Sequence, residues 1–316
     1  MEVAQKTMWR DSPMTSIDIE TLFTTLFVKI DDWYLTKGQR FLTTTAGRKP
    51  KFSDSEMLTL MLGAEYLPFA SESQYLGYIR ANHSDLFPDL LSQSQFNRRA
   101  RRLYRLLEWM RRDWMIDLGI EQAGKLLIDT KPVPVLGYKR SKRRSDFLGS
   151  ADYGYCASRK LHYFGYKLVM VATLEGIPVA YDLVAANIDE RAAAEPVLDY
   201  LKNAVLIGDK GFIGIEWQAQ MLEQTGNRIL TPKRKNQTLQ NPPGYDALLN
   251  RMRRRIEGLF HELQNTGRNL ERLLAKTVDG LAARLSAKVT AHLFKRILRT
   301  AEQIDVQTFQ HSIHFT

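Results

Sequence analysis

The chain is predicted to form a mixed α/β sheet flanked by helices, preceded by an all-helical N-terminal region. Three observations predict it. Up to about residue 120, apolar residues recur at helical spacing with no strand-like run between them. From Leu126 onward, short apolar runs alternate with amphipathic stretches. Two of those runs, LLIDT and AVLIGD, close on aspartates, Asp129 and Asp209, and a third acid, Glu257, stands in the arginine-rich helix RMRRRIEGLFHEL.

In the N-terminal region, Ile17 to Tyr34 has helical periodicity, and Gly38 to Pro50 is a polar, basic loop. Ser53 with Glu56 three residues later marks a capped helix start before the run Met57 to Leu67, which Pro68 closes. Ser73 to Ile79 is a short helix, and Asp85 to Leu91 a turn with a short helical piece. Ser92 to Trp114 follows, with Ser92 or Ser94 as its cap. Its apolar stripe is Phe96, Leu103, Leu106, Leu107 and Met110. Arg98, Arg99, Arg101, Arg102 and Arg105 crowd its first half. A basic helix after shorter helices suits a helix-turn-helix, whose leading residues enter a DNA groove. A solvated arginine face is the plainer alternative.

The second half begins with LLIDTKPVPV, a strand that becomes a Pro-containing extended stretch. A basic, glycine-rich loop or hairpin follows, with seven cations (Lys139, Arg140, Lys142, Arg143, Arg144, Arg159, Lys160) against Asp146 and Asp152. Phe164 to Thr173 and Ile177 to Ala186 are strands joined by a short turn at Gly176, hence a hairpin. Asn187 or Asp189 caps a helix running through Leu201, with Glu190 in its first turn. Ala204 to Asp209 is too apolar for an edge strand. Ile215 to Gln224 is a helix, NRILTP a short strand, and Lys233 to Tyr245 a basic loop into the glutamate helix. A last amphipathic helix spans about Val278 to Leu298. Three strands with a hairpin, then alternating helix and strand, give the order of a ribonuclease H-like core. There the first and fourth strands are neighbours, so Asp129 and Asp209 meet and the later helix brings Glu257 to them. The expected domains are 1–120 (helical, DNA-binding), 121–270 (ribonuclease H-like, catalytic) and 271–316 (a helix and tail packing on the core).

At 316 residues, 44% hydrophobic and 25% charged, the chain has a globular composition, with length for a core and a second domain. Its net charge of +10 favours a polyanionic partner. Cys156 is the sole cysteine, which excludes an internal disulfide, and the six histidines show no zinc-binding spacing. No run has the length of a membrane span and the N-terminus lacks a signal-peptide pattern, so no membrane partner and a cytoplasmic location are expected, with the nucleoid as its place when bound to DNA.

Three converging carboxylates repel one another unless cations lie between them. Two divalent ions resolve that conflict and make a clamp for phosphoryl transfer. Asp129 is the natural bridging ligand, with Asp209 and Glu257 on one ion each. Hard oxygen donors select Mg²⁺, two ions, with Mn²⁺ as a substitute. Singly, each acid has an ordinary role: Asp129 and Asp209 as turn caps, and Glu257 as the partner of Arg253 four residues earlier. All three in this order and topology favour the metal site.

The features LLIDT, HYFGYKL, DKGF at Asp209 and RMRRRIEGLFHEL, from about Leu126 to Leu263, resemble a bacterial insertion-sequence transposase of the DDE superfamily. The resemblance implies a DNA-binding endonuclease of DNA transposition and recombination. It would bind double-stranded DNA, both terminal inverted repeats and target, as a homodimer or larger. Asp129, Asp209 and Glu257 would be its catalytic and metal-binding residues. The 48 residues from Asp209 to Glu257 leave no room for a large inserted β-domain. Of the pattern Y-x2-R-x3-E-x6-[K/R], Arg253 is present, Asn250 replaces the tyrosine and Gln264 the basic residue, with Arg268 a turn beyond. A same-fold nuclease or resolvase that only hydrolyses, and a non-catalytic DNA-binding descendant, are the alternatives.

The DNA contacts expected from the residues are Lys210 beside Asp209, Lys167 in the second strand, Arg253 and Arg254 on the glutamate helix, Lys233 and Arg234 on the preceding loop, and Arg98, Arg99 and Arg102 on the N-terminal basic helix. His162 reads as a hydrogen-bonded structural histidine and Trp217 as a packing residue.

Overall fold

The computed structural model describes residues 15–41, 50–120, 124–140 and 142–306. Most of the loop expected at Gly38 to Pro50 lies outside them. Two compact units result: one of Met1–Trp109, Thr266–Arg268 and Ser286–Thr316, the other of Met110–Asn265 and Asn269–Leu285.

The first unit opens with β1 (Thr15–Ser16), followed by α1 (Ile19–Thr36), α2 (Asp54–Gly63) and α3 (Glu72–Asn82). The next helix, α4 (Gln93–Asp117), begins here and continues into the second unit. Capping sets these boundaries. Asp18 accepts from Thr21 N at 2.7 Å at the start of α1. Ser53 and Glu56 form the reciprocal capping box that the sequence predicts. Ser92 rather than Ser94 caps α4, exchanging bonds with Gln95. The core joins Leu22, Phe23, Leu26 and Ile30 of α1 to α2, which is buried from Met57 to Gly63. Tyr75 and Tyr66 bury their hydroxyls by donating to the carbonyls of Leu60 and Ala291.

Thr266–Arg268 enters this unit as a short plug. Gly267 adopts φ +53° against Glu65, where a Cβ would come within 2.6 Å of the Glu65 Cα. Beside it, Lys288 Nζ lies 2.8 Å from Glu65 Oε2 and donates to the Thr266 carbonyl at 2.7 Å.

The second unit holds a six-stranded sheet. Its strands are β2 (Lys125–Leu136), β3 (Asp152–Cys156), β4 (Leu161–Thr173), β5 (Pro178–Ala185), β6 (Val205–Ile207) and β7 (Arg228–Leu230). The order is β3-β4-β2-β6-β7, with β5 also on β4. β2, β6 and β7 are parallel; β4 is antiparallel to β2, β3 and β5. β3 and β5 follow each other along one edge of β4, pairing Leu161–Gly165 and Tyr166–Ala172 respectively. β6 pairs β2 only at Lys125–Leu127, which leaves that edge of β2 open where Pro132 and Pro134 cannot donate. Of the two readings of the basic stretch, loop or hairpin, its second part takes the hairpin: β3 pairs with β4, which starts three residues earlier than its apolar run suggests. Both depend on a cross-strand register that local composition does not encode.

Two helices, α5 (Glu190–Leu198) and α6 (Ile215–Thr225), cover one sheet face over Ile128, Val169, Val171 and Leu206. α7 (Tyr245–Asn265) packs against β2 and β6, burying Ile256, Leu259, Phe260 and Leu263. The last helix, α8 (Val278–Ala301), starts in this unit and ends in the other, where β8 (Ile304–Asp305) pairs with β1. This is a mixed sheet flanked by helices after an all-helical region, a ribonuclease H-like fold. As that fold requires, the first and fourth main strands, β2 and β6, are neighbours.

Candidate active site

Asp129 lies in β2 opposite Met170 of β4, and Asp209 two residues beyond the end of β6. Parallel pairing of β2 and β6 brings them into electrostatic contact. Asp129 is largely buried, and its carboxyl is pushed up to about 7, by burial first. Arg253 and the bond from Thr130 N (2.8 Å) pull it back, while Asp209 and Glu190 push it further. Asp209 caps the turn after β6, its Oδ1 accepting from Gly211 N at 2.7 Å.

Another acid lies beside these two. Glu190, at the first position of α5, accepts from the Thr130 hydroxyl at 2.9 Å. Its pKa is raised by burial and by Asp209, against the Thr130 bond and Lys167. A Cβ on Gly211 would collide with the Glu190 carboxylate, which would have to swing aside to admit it. In sequence Glu190 reads only as a first-turn helix acid, with the helix dipole as sufficient reason for it.

Glu257 does not complete the group. Arg253 stands between it and Asp129, with Nη2 3.7 Å from Asp129 Oδ2 and 4.0 Å from Glu257 Oε1. Arg253 and Asp129 are only 15% and 16% exposed, whereas Glu257 is 57% exposed. Among the described residues, no three His, Cys, Asp or Glu side chains are placed to hold a metal ion. The donors nonetheless suit a hard divalent cation. They are all carboxylate oxygens, and a buried Asp129 repelled by two acids is stabilised by positive charge, which Arg253 supplies in this structure.

The expected DNA contacts fall into two sets. Lys210, Arg254 and Arg234 are exposed, and Arg234 donates to the Lys210 carbonyl at 3.3 Å. Lys233 is half-buried, its backbone N–H shared by both oxygens of Asp246. Lys167 is half-buried and donates to the Ile188 carbonyl. On α4, Arg98 and Arg102 face solvent four residues apart. Arg99 turns inward, pairing with Asp54 and donating to the Phe52 carbonyl. His162 lies in β4, exposed, with its ring 4.5 Å from Tyr155, which corrects the expectation of a structural histidine. Trp217 packs as expected, donating to Glu195 at 2.9 Å.

Among the described residues, no helix is long and apolar enough to cross a membrane. No curated protein and no solved structure matches the chain. Residues 121–294, spanning the sheet, Asp129, Asp209, Glu190 and Glu257, match the transposase DDE domain. That match covers more than half of the chain, which therefore belongs to the transposase DDE domain family.

Proposed function

We propose that the chain is a DNA transposase that cuts the ends of a mobile element and joins the freed 3′ ends to target DNA. Asp129, Asp209 and Glu257 would hold two Mg²⁺ ions. Held there, the ions would activate the attacking oxygen and neutralise the leaving one. The observation that carries the reading is the buried Asp129, its pKa at about 7, beside Asp209 and under Arg253. A site that crowds acids in a largely buried position needs cationic partners, and phosphoryl transfer uses such a site.

The chain's own groups have separable tasks. Asp129 is fixed by its strand and by the Thr130 N–H. Arg253 holds the acids together and, on release of Asp129, pairs with a DNA phosphate, letting Glu257 approach. Lys210, Arg254, Lys233 and Arg234 contact backbone phosphates near the cut, and Lys167 steadies the acidic end of α5. Water attacks first and the freed 3′ hydroxyl attacks second, with no protein nucleophile and no covalent enzyme intermediate. The helical region 1–120 reads the inverted repeats through Arg98 and Arg102 of α4, and two ends acting together require a homodimer or larger on DNA.

The test is a two-end cleavage and strand-transfer assay on duplexes carrying the element's terminal repeat, with Mg²⁺ and then Mn²⁺. The parent is compared with Asp209→Ala. Cleavage followed by joining, lost in the variant, is expected. Cleavage without joining would make the chain a nuclease. DNA binding without chemistry in either metal would make it a non-catalytic descendant.

A further inference from the structure

We infer that the outer end of the β3–β4 hairpin is a stacking platform for unpaired nucleotides, a binding site separate from the carboxylates. Tyr155 pairs with His162 and Tyr153 with Phe164 across the two strands, so all four rings project from one sheet face. Tyr138, from the loop after β2, adds a fifth, 5.4 Å from Tyr153 and 5.9 Å from His162. Phe164 is buried and forms the floor, whereas His162 is exposed and Tyr138, Tyr153 and Tyr155 are 47%, 48% and 55% exposed, so the tyrosines and the histidine carry the accessible faces.

The surroundings are cationic. Lys142 Nζ lies 5.2 Å and 5.1 Å from the ring centres of Tyr153 and Phe164 and donates to the carbonyls of Gly137, Tyr138 and Arg140, so it fixes the loop against the rings. Lys139, Arg140, Arg143, Arg144 and Lys160 are exposed on the flanking segments. Both acids of this stretch are engaged: Asp146 accepts from Val278 N and Asp152 from Asn187. Exposed π-faces within a cationic rim match single-stranded nucleic acid, whose bases offer a stacking face and whose backbone offers charge. In a fully paired duplex the bases are stacked on one another and do not present those faces.

The platform shares the sheet face of Asp129. Asp129 pairs with Met170, and His162, Phe164 and Met170 alternate onto the same side of β4. Six strand residues from Met170 to Phe164 span about 20 Å. The rings are therefore too far away to touch the reacting phosphate and would hold the strand that flanks it. This inference rests on the reading of the chain as an enzyme acting on DNA.

The test measures binding by fluorescence anisotropy, with the full chain in EDTA, to a labelled oligothymidine of about 15 nucleotides and to a duplex of the same length. Tyr153→Ala/Tyr155→Ala is expected to weaken oligothymidine binding at least tenfold and to change duplex binding less than about twofold. Tyr153→Phe/Tyr155→Phe, which keeps the rings, should bind as the parent does. Tyr153→Leu/Tyr155→Leu keeps apolar bulk without rings; it takes the place of the alanine variant if that fails to fold and should show the same selective loss. Equal losses on both ligands, or none on oligothymidine, would overturn the platform while leaving the transposase reading intact. No binding to either DNA by the parent would overturn both.

Discussion

Gly211 shows how one residue can be constrained by a neighbour remote in sequence. The position of its missing Cβ is taken by the Glu190 carboxylate, which the Thr130 hydroxyl holds. Gly211→Ala is expected to cost about 1–3 kcal/mol of stability through overpacking. Adding Glu190→Ala should restore most of it, a non-additivity that thermal melts of the four proteins will read. His83 carries a different dependence. It is buried against Phe23 and Tyr78, and burial lowers its pKa although Glu20, 3.7 Å away, opposes the shift. The unfolded histidine protonates near pH 6.5, the folded one only at lower pH. Its contribution is complete above about pH 6.5 and falls as the pH drops through the folded value. His83→Phe should flatten the decline in Tm between about pH 7 and pH 5, and the difference between the two proteins isolates this group. Asp129 and Asp209 are legible in the sequence because each closes an apolar run. Glu190 is not, because its partners come from another strand and a turn.

At the scale of the element, α4 sorts its arginines by helical phase. Arg98 and Arg102 lie on the solvent side, while Arg99, one residue along, meets Asp54 and the Phe52 carbonyl. A run of basic residues announces a basic helix; only the packing of α2 beside it decides which members are free to meet DNA. Arg98→Gln/Arg102→Gln is expected to leave Tm unchanged and to reduce the slope of log affinity against log salt by about one for each phosphate that is no longer neutralised. Arg99→Ala should instead lower Tm, because it removes about 1–3 kcal/mol of stability in forfeited hydrogen bonding. Slope and Tm measured on both variants check the assignment. The same contrast runs through the sheet. β5 and the turn before it are evident from their pattern, whereas β3 hides in a glycine-rich basic stretch, since only its register with β4 makes it a strand. The position of Arg253 between Asp129 and Glu257 is equally invisible in sequence, where spacing pairs it with Glu257 alone.

For the whole molecule, the helical unit is assembled from three separated pieces of chain. Its centre is the pair Glu65 and Lys288, the side chains 2% and 1% exposed. Burial pulls the Lys288 ammonium below its usual range, against Glu65. Lys288→Met leaves a buried carboxylate without its counter-charge and is expected to cost about 3–5 kcal/mol. Glu65→Gln added to it should recover much of the loss in a denaturant melt.

The order of these pieces also governs how the protein is made. The sheet and its acids are synthesised by residue 285, while Lys288 and Ala291, the partners of Glu65 and Tyr66, follow afterwards. A ribosome therefore synthesises everything needed for the sheet before it synthesises what closes the helical unit. Each newly made copy passes through a stage in which the carboxylate fold is fully synthesised and the unit proposed to select DNA still lacks its last piece.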